Sequence, residues 1–339
     1  MAKRLGKYTL QMMQMPSIQG FASVCGKKEG EGPLSQYFDK IFNDTTLGES
    51  SWEKAESKLQ NEAVNLALQK SNLTSADIDF IFAGDLLNQC ISSTFGLREL
   101  NIPFLGQYGA CSTMAQTLIL ASMMVESGMA NHCLAVTSSH FCSAERQFRF
   151  PLEYGGQRTP TAQWTVTGSG AIVVGNSGNS PYISAVTVGR IKDLGIKDAN
   201  NMGAAMAPAA AQTLTDFFSD TKTSPEDYDL ILTGDLGEVG STLLYELLEQ
   251  DNINIRSRHN DCGLMIYHKE KQDVHAGGSG CGCSASVLCS LILNKMKNAE
   301  LSNVLFMATG ALMSPTSSQQ GESIPSVAHL VNLKSGLKN

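Results

Sequence analysis

Two runs of apolar residues, each ending in Gly-Asp, lie 150 residues apart in the chain, at Asp79–Leu86 and Asp229–Leu236. Five of the eight positions are identical, and two of the others exchange Phe for Leu. Both runs are apolar without alternation, which is typical of strands that are covered on both faces of a sheet. A repeat over this distance predicts a chain that is built twice on one plan.

The elements around the two strands repeat in the same order. A helix with one apolar face is predicted before each strand, and a turn of small residues with cysteine, a second helix and a second strand are predicted after it. The matching segments are 52–66 with 209–218, 109–112 with 280–283, and 134–137 with 305–308. The sequence therefore predicts an α/β protein with layers of helix and sheet, in two halves related by an approximate two-fold axis.

Composition narrows the classes of function. The 339 residues include 25 Lys and Arg against 32 Asp and Glu, a net charge of −7, and no basic stripe stands out, so no nucleic-acid partner is expected. No apolar run of about 18 residues occurs, so no membrane-spanning segment is predicted. Nine Cys, an odd number, without an export signal indicate reduced thiols in a cytosol-like compartment.

Cys111 is the sharpest candidate for chemistry. It lies on a predicted turn between a short apolar stretch, 102–105, and a helical pattern over 112–128, where Gly128 is a candidate C-terminal cap. Backbone amides and the helix dipole at such a turn favour a thiolate, which is the nucleophile of acyl transfer. The alternative is that a crowded turn simply needs a small residue, and both interpretations stay open.

Polar residues at predicted strand ends are further candidates. His140 ends a predicted strand, where α/β sheets bind ligands, and His259 could reach the same pocket. Asp85 and Asp235 occupy matching strand exits, so a structural role in capping a following helix or turn is favoured for both. For Asp85, the nearby Asn88 slightly favours a functional role.

Cationic and glycine-rich segments supply further candidates. Arg146 and Arg149 are spaced to face one way on a helical turn and could bind carboxylates, or they could form surface ion pairs. Lys27 and Lys28 are weaker candidates for the same role. The glycine-rich stretch 277–280 is expected to let backbone approach a pocket. The cysteines near it lack a zinc spacing, so neither a metal site nor a cofactor is predicted.

The doubled plan, with Cys111 on a turn before a helix, resembles the thiolase superfamily and, within it, the ketoacyl synthase III enzymes. The resemblance implies a layered α-β-α-β-α fold of two halves, 1–177 and 178–339, and a homodimer that pairs through a strand beside the Cys-bearing helix. Those enzymes place a catalytic His and Asn at positions that here read Asp235 and Cys281. The loss of both partners implies that chemistry on a thioester is strongly impaired.

A second resemblance, to the stage V sporulation AD family of spore-forming bacteria, is more specific. The segments that carry it are 32–34, 38–40, 83–89, 109–113, 137–140, 144–149, 154–157, 206–211 and 259–267. It implies a protein without enzyme activity that binds dipicolinic acid (pyridine-2,6-dicarboxylic acid) for uptake into the developing spore. It also implies other stage V sporulation A proteins as partners and a peripheral position on the cytoplasmic side of the spore inner membrane.

A planar dianion needs donors for two carboxylates and a flat wall for its ring. The amides after Cys111 are expected to hold one carboxylate, and an arginine the other. The predicted ligand-binding residues are Cys111, Asp85, Asn88, Ser138, His140, Arg146, Arg149 and His259. Binding with or without calcium stays open, as do two alternatives: an acyl transferase that uses Cys111 on CoA or carrier-protein thioesters, and a purely architectural subunit.

Overall fold

A computed structural model describes residues 2–149, 158–176 and 181–336, with the side chain of Arg149 outside that description. The strands in these ranges are β1 (Lys3–Leu5), β2 (Thr9–Gln11), β3 (Ser17–Cys25), β4 (Lys40–Ile41), β5 (Phe80–Gly84), β6 (Phe104–Gln107), β7 (His132–Ser139), β8 (Trp164–Thr165), β9 (Gly168–Gly175), β10 (Tyr182–Thr187), β11 (Leu230–Thr233), β12 (His259–Asp261), β13 (Gly278–Ser279), β14 (Asn303–Ala311) and β15 (Ser326–Lys334).

The helices in the same ranges are α1 (Lys27–Gly30), α2 (Trp52–Ser71), α3 (Ile91–Leu97), α4 (Thr113–Glu126), α5 (Phe141–Arg149), α6 (Met202–Thr221), α7 (Gly237–Glu249), α8 (Cys262–Met265), α9 (Cys281–Val287), α10 (Leu293–Lys297) and α11 (Pro315–Gln319). A π-helical turn, Leu288–Ile292, joins α9 to α10. Among these described helices, none is both long enough and apolar enough to cross a bilayer.

One hydrogen-bonded order of strands runs through the described structure: β12-β11-β14-β15-β10-β3-β9-β7-β5-β6. Outward from the contact between β10 and β3, the two sides repeat each other element by element. β5 pairs in parallel with β6 and β7, and β11 pairs in parallel with β12 and β14. This order confirms the doubled plan. The predicted boundary at 177/178 falls outside the described residues.

Three large clusters of buried residues, packed between helices and strands, define five layers in the described part of the chain. α2 packs its buried face, including Leu59 and Ala63, on the outer side of the first-half strands. α6 does the same for the second half through Met206 and Leu214. Between the two halves lie α4 and α9, whose residues share one buried cluster with strands of both. The predicted α-β-α-β-α layering is therefore confirmed.

Local signals set the ends of the key helices. The N-cap of α2 is Ser51, whose side chain accepts from the Lys54 N–H at 3.3 Å. Gly128 follows α4 with φ of +75°, the left-handed conformation that was predicted for its C-terminal cap. α4 therefore starts immediately after the Cys111 turn and stops where the sequence indicates.

Candidate functional site

A cavity of about 260 Å³ lies beside the Cys111 turn. Its walls come from five places: the strand exit and turn before α4, helix α5, the paired strands β8 and β13, the first turns of α6, and the end of β14 with the segment after it. The lining residues are Leu86, Tyr108, Ala110, Cys111, Ala144, Glu145, Phe148, Thr165, Met202, Met206, Ser279, Ala311, Leu312, Met313 and Ser314. Residues from both halves meet here, as the doubled plan predicts.

The Cys111 turn is held tightly against the second half. Ala110, just before the cysteine, adopts φ of +52°, which is uncommon for a residue with a side chain. A Cβ added at Gly310 on β14 would lie 2.5 Å from the Gly109 carbonyl oxygen, so only glycine lets the strand approach this closely. The contact fixes the turn and leaves Cys111 partly exposed to the cavity.

The surroundings of Cys111 keep its thiol protonated. Burial raises the pKa of Cys111 well above its usual range, and the negative charge of Asp235 raises it further. The Ser279 hydroxyl lies 4.0 Å from the Cys111 sulfur and donates to the Asp235 carboxylate at 3.3 Å. Burial and the neighbouring carboxylate therefore oppose the thiolate that the amides and dipole of the helix start favour.

The buried Asp235 carboxylate connects the turn before α9 to strand β14. Its carboxylate accepts from the Gly280 N–H at 2.8 Å and from the Thr309 hydroxyl at 3.0 Å. Burial raises the pKa of Asp235 to about 7. Capping of the following helix by Asp235 was predicted, but Asp261 takes that role. The Asp261 carboxylate accepts from the N–H groups of residues 236 and 237 at 2.8 and 3.0 Å.

The described lining is mostly apolar and contains no Lys or Arg. Two methionines of α6, Met202 and Met206, form a flexible apolar wall. The polar side chains are the hydroxyls of Tyr108, Thr165, Ser279 and Ser314, the Cys111 thiol and the carboxyl of Glu145. The described lining therefore supplies no cationic side chain to balance the charge of a bare anion.

Asn88 and Asp85 lie near the cavity in different ways. Asn88 is exposed, and its Oδ1 accepts from the hydroxyl of the lining residue Tyr108 at 3.0 Å. Asp85 is fully buried and accepts from the N–H groups of Leu87 and Ser93 at 2.9 and 2.8 Å. Asn88 thus joins the rim of the cavity, whereas Asp85 caps the following turn and helix, as the structural interpretation predicted.

Ser138 and His140 lie behind the cavity, not in it. The Ser138 hydroxyl donates to the buried carboxyl of Glu56 at 3.0 Å. The His140 ring donates from Nε2 to the Thr45 carbonyl at 2.7 Å and accepts at Nδ1 from the Cys142 N–H at 3.1 Å. Both ring nitrogens are occupied, and burial lowers the pKa of His140, so this histidine is a neutral structural group.

The remaining predicted residues are also held elsewhere. Arg146 pairs with Glu53 and lies over the Trp52 ring, 5.2 Å from its centre. His259 bridges the hydroxyls of Tyr245 at 2.7 Å and Thr233 at 2.9 Å. The side chain of Arg149 lies outside the described part of the chain. Of the eight predicted residues, the described structure brings Cys111 to the cavity wall and Asn88 to its rim.

Several cavity residues were not predicted. Ser279 belongs to the glycine-rich stretch that was expected to approach a pocket, so a signal for it existed. Tyr108 lies three residues before Cys111 and could have been found by that proximity. Met202, Met206 and the 311–314 segment carry no local signal, because only packing brings them to this place.

Comparison with known proteins adds a sequence family. A family model described as stage V sporulation protein AD matches residues 6–334. The stage V sporulation protein AD of Bacillus subtilis is 48% identical over 327 residues, which cover 96% of this chain and 96% of that protein.

Solved structures share the fold at low identity. The 3-oxoacyl-[acyl-carrier-protein] synthase III of Aquifex aeolicus is 14% identical with a TM-score of 0.59, covering 94% of this chain and 99% of that chain. A variant of OleA from Xanthomonas campestris is 11% identical with a TM-score of 0.63, covering 96% and 99%. Such likeness at this identity shows the thiolase-like fold and nothing about activity.

Proposed function

This chain belongs to the stage V sporulation protein AD family, and from that premise we propose that it is a non-catalytic receptor for dipicolinic acid. In this proposal the Cys111 cavity binds the acid during its movement into the developing spore. The expectation comes from the family resemblance, and the cavity beside Cys111 supports it as a candidate site.

The observation that carries the non-catalytic part is the position of the buried Asp235 carboxyl beside Cys111, where it raises the pKa of the thiol. A condensing enzyme needs a nucleophilic thiolate and donors for the oxyanion that forms on the thioester carbonyl. Here a carboxylate accepts hydrogen bonds where a donor is needed. Cys281 is fully buried and donates to the Ser138 carbonyl at 3.0 Å, so it faces away from the cavity.

The cavity suits a compact, flat molecule. At about 260 Å³ it is smaller than the sites that hold drug-sized ligands. The methionine wall can pack on one face of an aromatic ring, while Tyr108, Ser279 and Asn88 offer polar contacts at the edge. We place the ligand against Cys111, with the ring toward Met206.

The charge of the site favours a charge-compensated form of the ligand. Dipicolinate carries two carboxylates, and the described lining contains no cationic side chain. A divalent cation held by the two carboxylates and the ring nitrogen neutralises the acid, and such a cation prefers oxygen ligands. We therefore propose that the cavity takes the calcium chelate more tightly than the bare dianion.

Calorimetric titration with dipicolinate, with and without calcium, tests both parts. Wild-type protein and Cys111→Ser should bind, with higher affinity when calcium is present, because serine keeps the cavity open. Cys111→Phe should not bind, because the larger side chain fills the space beside the turn. Binding by Cys111→Phe that equals wild type would move the ligand out of this cavity, and no binding by wild type would end the proposal.

An acyl transferase is the second candidate, and the apolar cavity beside a cysteine is the observation that favours it. Incubation with acyl-CoA followed by mass spectrometry separates the two functions. A stable acyl group on Cys111, lost in Cys111→Ala, would favour the enzyme. An architectural subunit, the third candidate, would bind neither molecule.

We also propose a homodimer that forms along β6. This strand is the edge of the sheet, and Phe104 and Leu105 on it are 39% and 48% exposed. An exposed apolar edge strand is a ready template for pairing with a second chain. Other stage V sporulation A proteins at the cytoplasmic side of the spore inner membrane are the further partners that the family context implies.

A further inference from the structure

The carboxyl of Asp235 lies between the cavity and the core of the second half. The residue is fully buried, yet its Oδ2 atom is 3.3 Å from the hydroxyl oxygen of Ser279, which lines the cavity. The thiol of Cys111, which also lines the cavity, hydrogen-bonds to the same carboxyl. A ligand that touches Ser279 or Cys111 is therefore only one side chain away from Asp235.

The hydrogen bonds that hold this carboxyl come from neutral donors. Oδ2 accepts from the Gly280 N–H at 2.8 Å as well as from Ser279, and Oδ1 accepts from the Thr309 hydroxyl at 3.0 Å. The described lining of the cavity contains no Lys or Arg. An ionised Asp235 therefore faces the cavity with a negative charge that no cation of this lining balances.

The other ionisable groups near Asp235 are thiols, a histidine and further carboxyls. Burial raises the pKa of the thiols well above their usual range, and these thiols belong to Cys111, Cys262, Cys281 and Cys283. Burial lowers the pKa of His259 on β12 to about 4, so its ring is neutral. Glu145 lines the cavity from α5.

The other buried carboxyls form their hydrogen bonds away from the cavity lining. Asp261 accepts from the Thr233 hydroxyl at 2.6 Å, Glu56 from Ser143 at 2.6 Å and Asp85 from Ser93 at 2.7 Å. None of these three hydroxyls belongs to the described lining. Among these buried carboxyls, Asp235 is thus the one whose charge an occupant of the cavity affects most directly.

We infer that Asp235 determines the charge state of the ligand that the cavity accepts, because a bare anion enters together with a proton that Asp235 takes up from solvent. The inference rests on the proposed function, since it concerns binding in the same cavity. Two negative charges one side chain apart repel strongly where little water screens them. A proton on the carboxyl removes this repulsion, so an anion in the cavity favours the neutral form of Asp235.

The same proton gives the cavity a hydrogen-bond donor. While Asp235 is ionised, the Ser279 hydroxyl donates to its Oδ2 atom. When Oδ2 carries a proton, Oδ2–H donates to the Ser279 oxygen, and the Ser279 hydrogen is released to donate to a ligand carboxylate. The Gly280 N–H and the Thr309 hydroxyl keep donating to the carboxyl in both forms. The proton comes from the buffer and stays on Asp235, and no covalent bond to the ligand forms.

This coupling fixes the direction of the pH dependence. Burial raises the pKa of Asp235 to about 7 in the protein without ligand. Below that pH the proton is already present, so the affinity for the dianion is constant. Above it each binding event must add a proton, so the affinity falls roughly five- to tenfold between pH 6.5 and 8. The calcium chelate carries no net charge and binds with little proton uptake.

Calorimetric titration in two buffers counts the protons. Dipicolinate is titrated at pH 7.5 in Pipes and in Tris, which release very different heats when they give up a proton, and a pH series from 6.5 to 8 follows the affinity. The ligand is used alone and premixed with calcium. The variants are Asp235→Asn, which is neutral at every pH, and Ser279→Ala, which removes the hydroxyl. Exposed Glu246→Gln is the control.

Wild type and Glu246→Gln should take up roughly half a proton or more per bound dianion, and much less per bound chelate. Asp235→Asn should take up none and should bind the dianion with an affinity that is flat with pH. Ser279→Ala should bind the dianion several-fold more weakly and still take up the proton.

Dianion binding by wild type without proton uptake would overturn the inference and leave the proposed function standing. Equal uptake with dianion and chelate, or a pH dependence of Asp235→Asn that matches wild type, would overturn it in the same way. The proton count of wild type decides alone if Asp235→Asn fails to fold. No dipicolinate binding by wild type at any of these pH values would end both proposals.

Discussion

At the scale of single residues, the account depends on what Asp235 does to Cys111. The Ser279 hydroxyl contacts both the Asp235 carboxylate and the Cys111 thiol, and the negative charge of the carboxylate opposes ionisation of the thiol. The same carboxylate holds the Gly280 N–H and so shapes the cavity floor. One residue thus shapes the cavity and raises the pKa of the thiol that lines it.

Asp235→Asn should make Cys111 more reactive. Removal of the negative charge lowers the pKa of the thiol, so alkylation by iodoacetamide near pH 8 should accelerate several-fold. Peptide mass spectrometry measures the rate at each cysteine, and the partly exposed Cys142 serves as the internal control. An unchanged rate at Cys111 with folded protein would remove Asp235 as the cause.

Glu56 gives a second prediction for a single residue. It is almost fully buried on α2, and burial, followed by repulsion from Asp85, raises its pKa to about 8. Its two oxygens accept from Ser138 at 3.0 Å and from Ser143 at 2.6 Å. The folded protein holds a proton here that the unfolded chain releases above its ordinary pKa near 4.5.

The free energy of unfolding should therefore fall as pH rises from about 5 to 8, because the native state then binds more protons than the unfolded state. Glu56→Gln keeps the shape without the charge and should remove the share of this decline that Glu56 causes, so its stability relative to wild type should rise by roughly 2–4 kcal/mol between pH 5 and 8. Urea unfolding across this range measures it. The exposed Glu246→Gln is the control, and parallel pH profiles for Glu56→Gln and wild type would contradict the assignment.

At the scale of elements, the close contact between β14 and the Cys111 turn sets the site. Gly310→Ala would place a Cβ 2.5 Å from the Gly109 carbonyl and should cost roughly 1–3 kcal/mol while displacing the turn. In the strand β6, a Cβ at Gly106 meets the partly exposed Phe104 ring at 3.2 Å, and that ring can move. Urea unfolding should show a lower free energy of unfolding for Gly310→Ala than for the control Gly106→Ala. Equal free energies for the two variants would contradict the close contact at Gly310.

The edge strand β6 carries a prediction about assembly. Leu105→Asp puts a charge at the centre of the proposed pairing edge and should convert a dimer into a monomer. Sedimentation velocity reads the mass directly. A wild-type monomer, or a dimer that the substitution leaves intact, would exclude pairing through this strand.

The sequence was sufficient to predict most of the helices and strands, but not which side chains meet at the cavity. The repeated strands and helices follow from local burial patterns, so 80–84 and 230–233 were found as strands and Gly128 as a cap. His140 ends a strand as expected, but its ring turns to Thr45 in a loop that no local pattern connects to it.

At the scale of the whole molecule, the doubled fold creates a pocket that neither half contains alone. Cys111 comes from the first half, while Ser279 and the 311–314 segment come from the second. The sequence indicated the meeting of halves through its repeat. It did not indicate the charge of the pocket, because the predicted arginines lie on α5 and only packing shows that Arg146 points to Glu53.

The most direct test of the account is a crystal soaked with dipicolinate and calcium. The account predicts density for the chelated acid inside the cavity, with its ring between Cys111 and Met206 and no covalent bond to the sulfur. Density for the acid at another site, with this cavity unfilled, would contradict it.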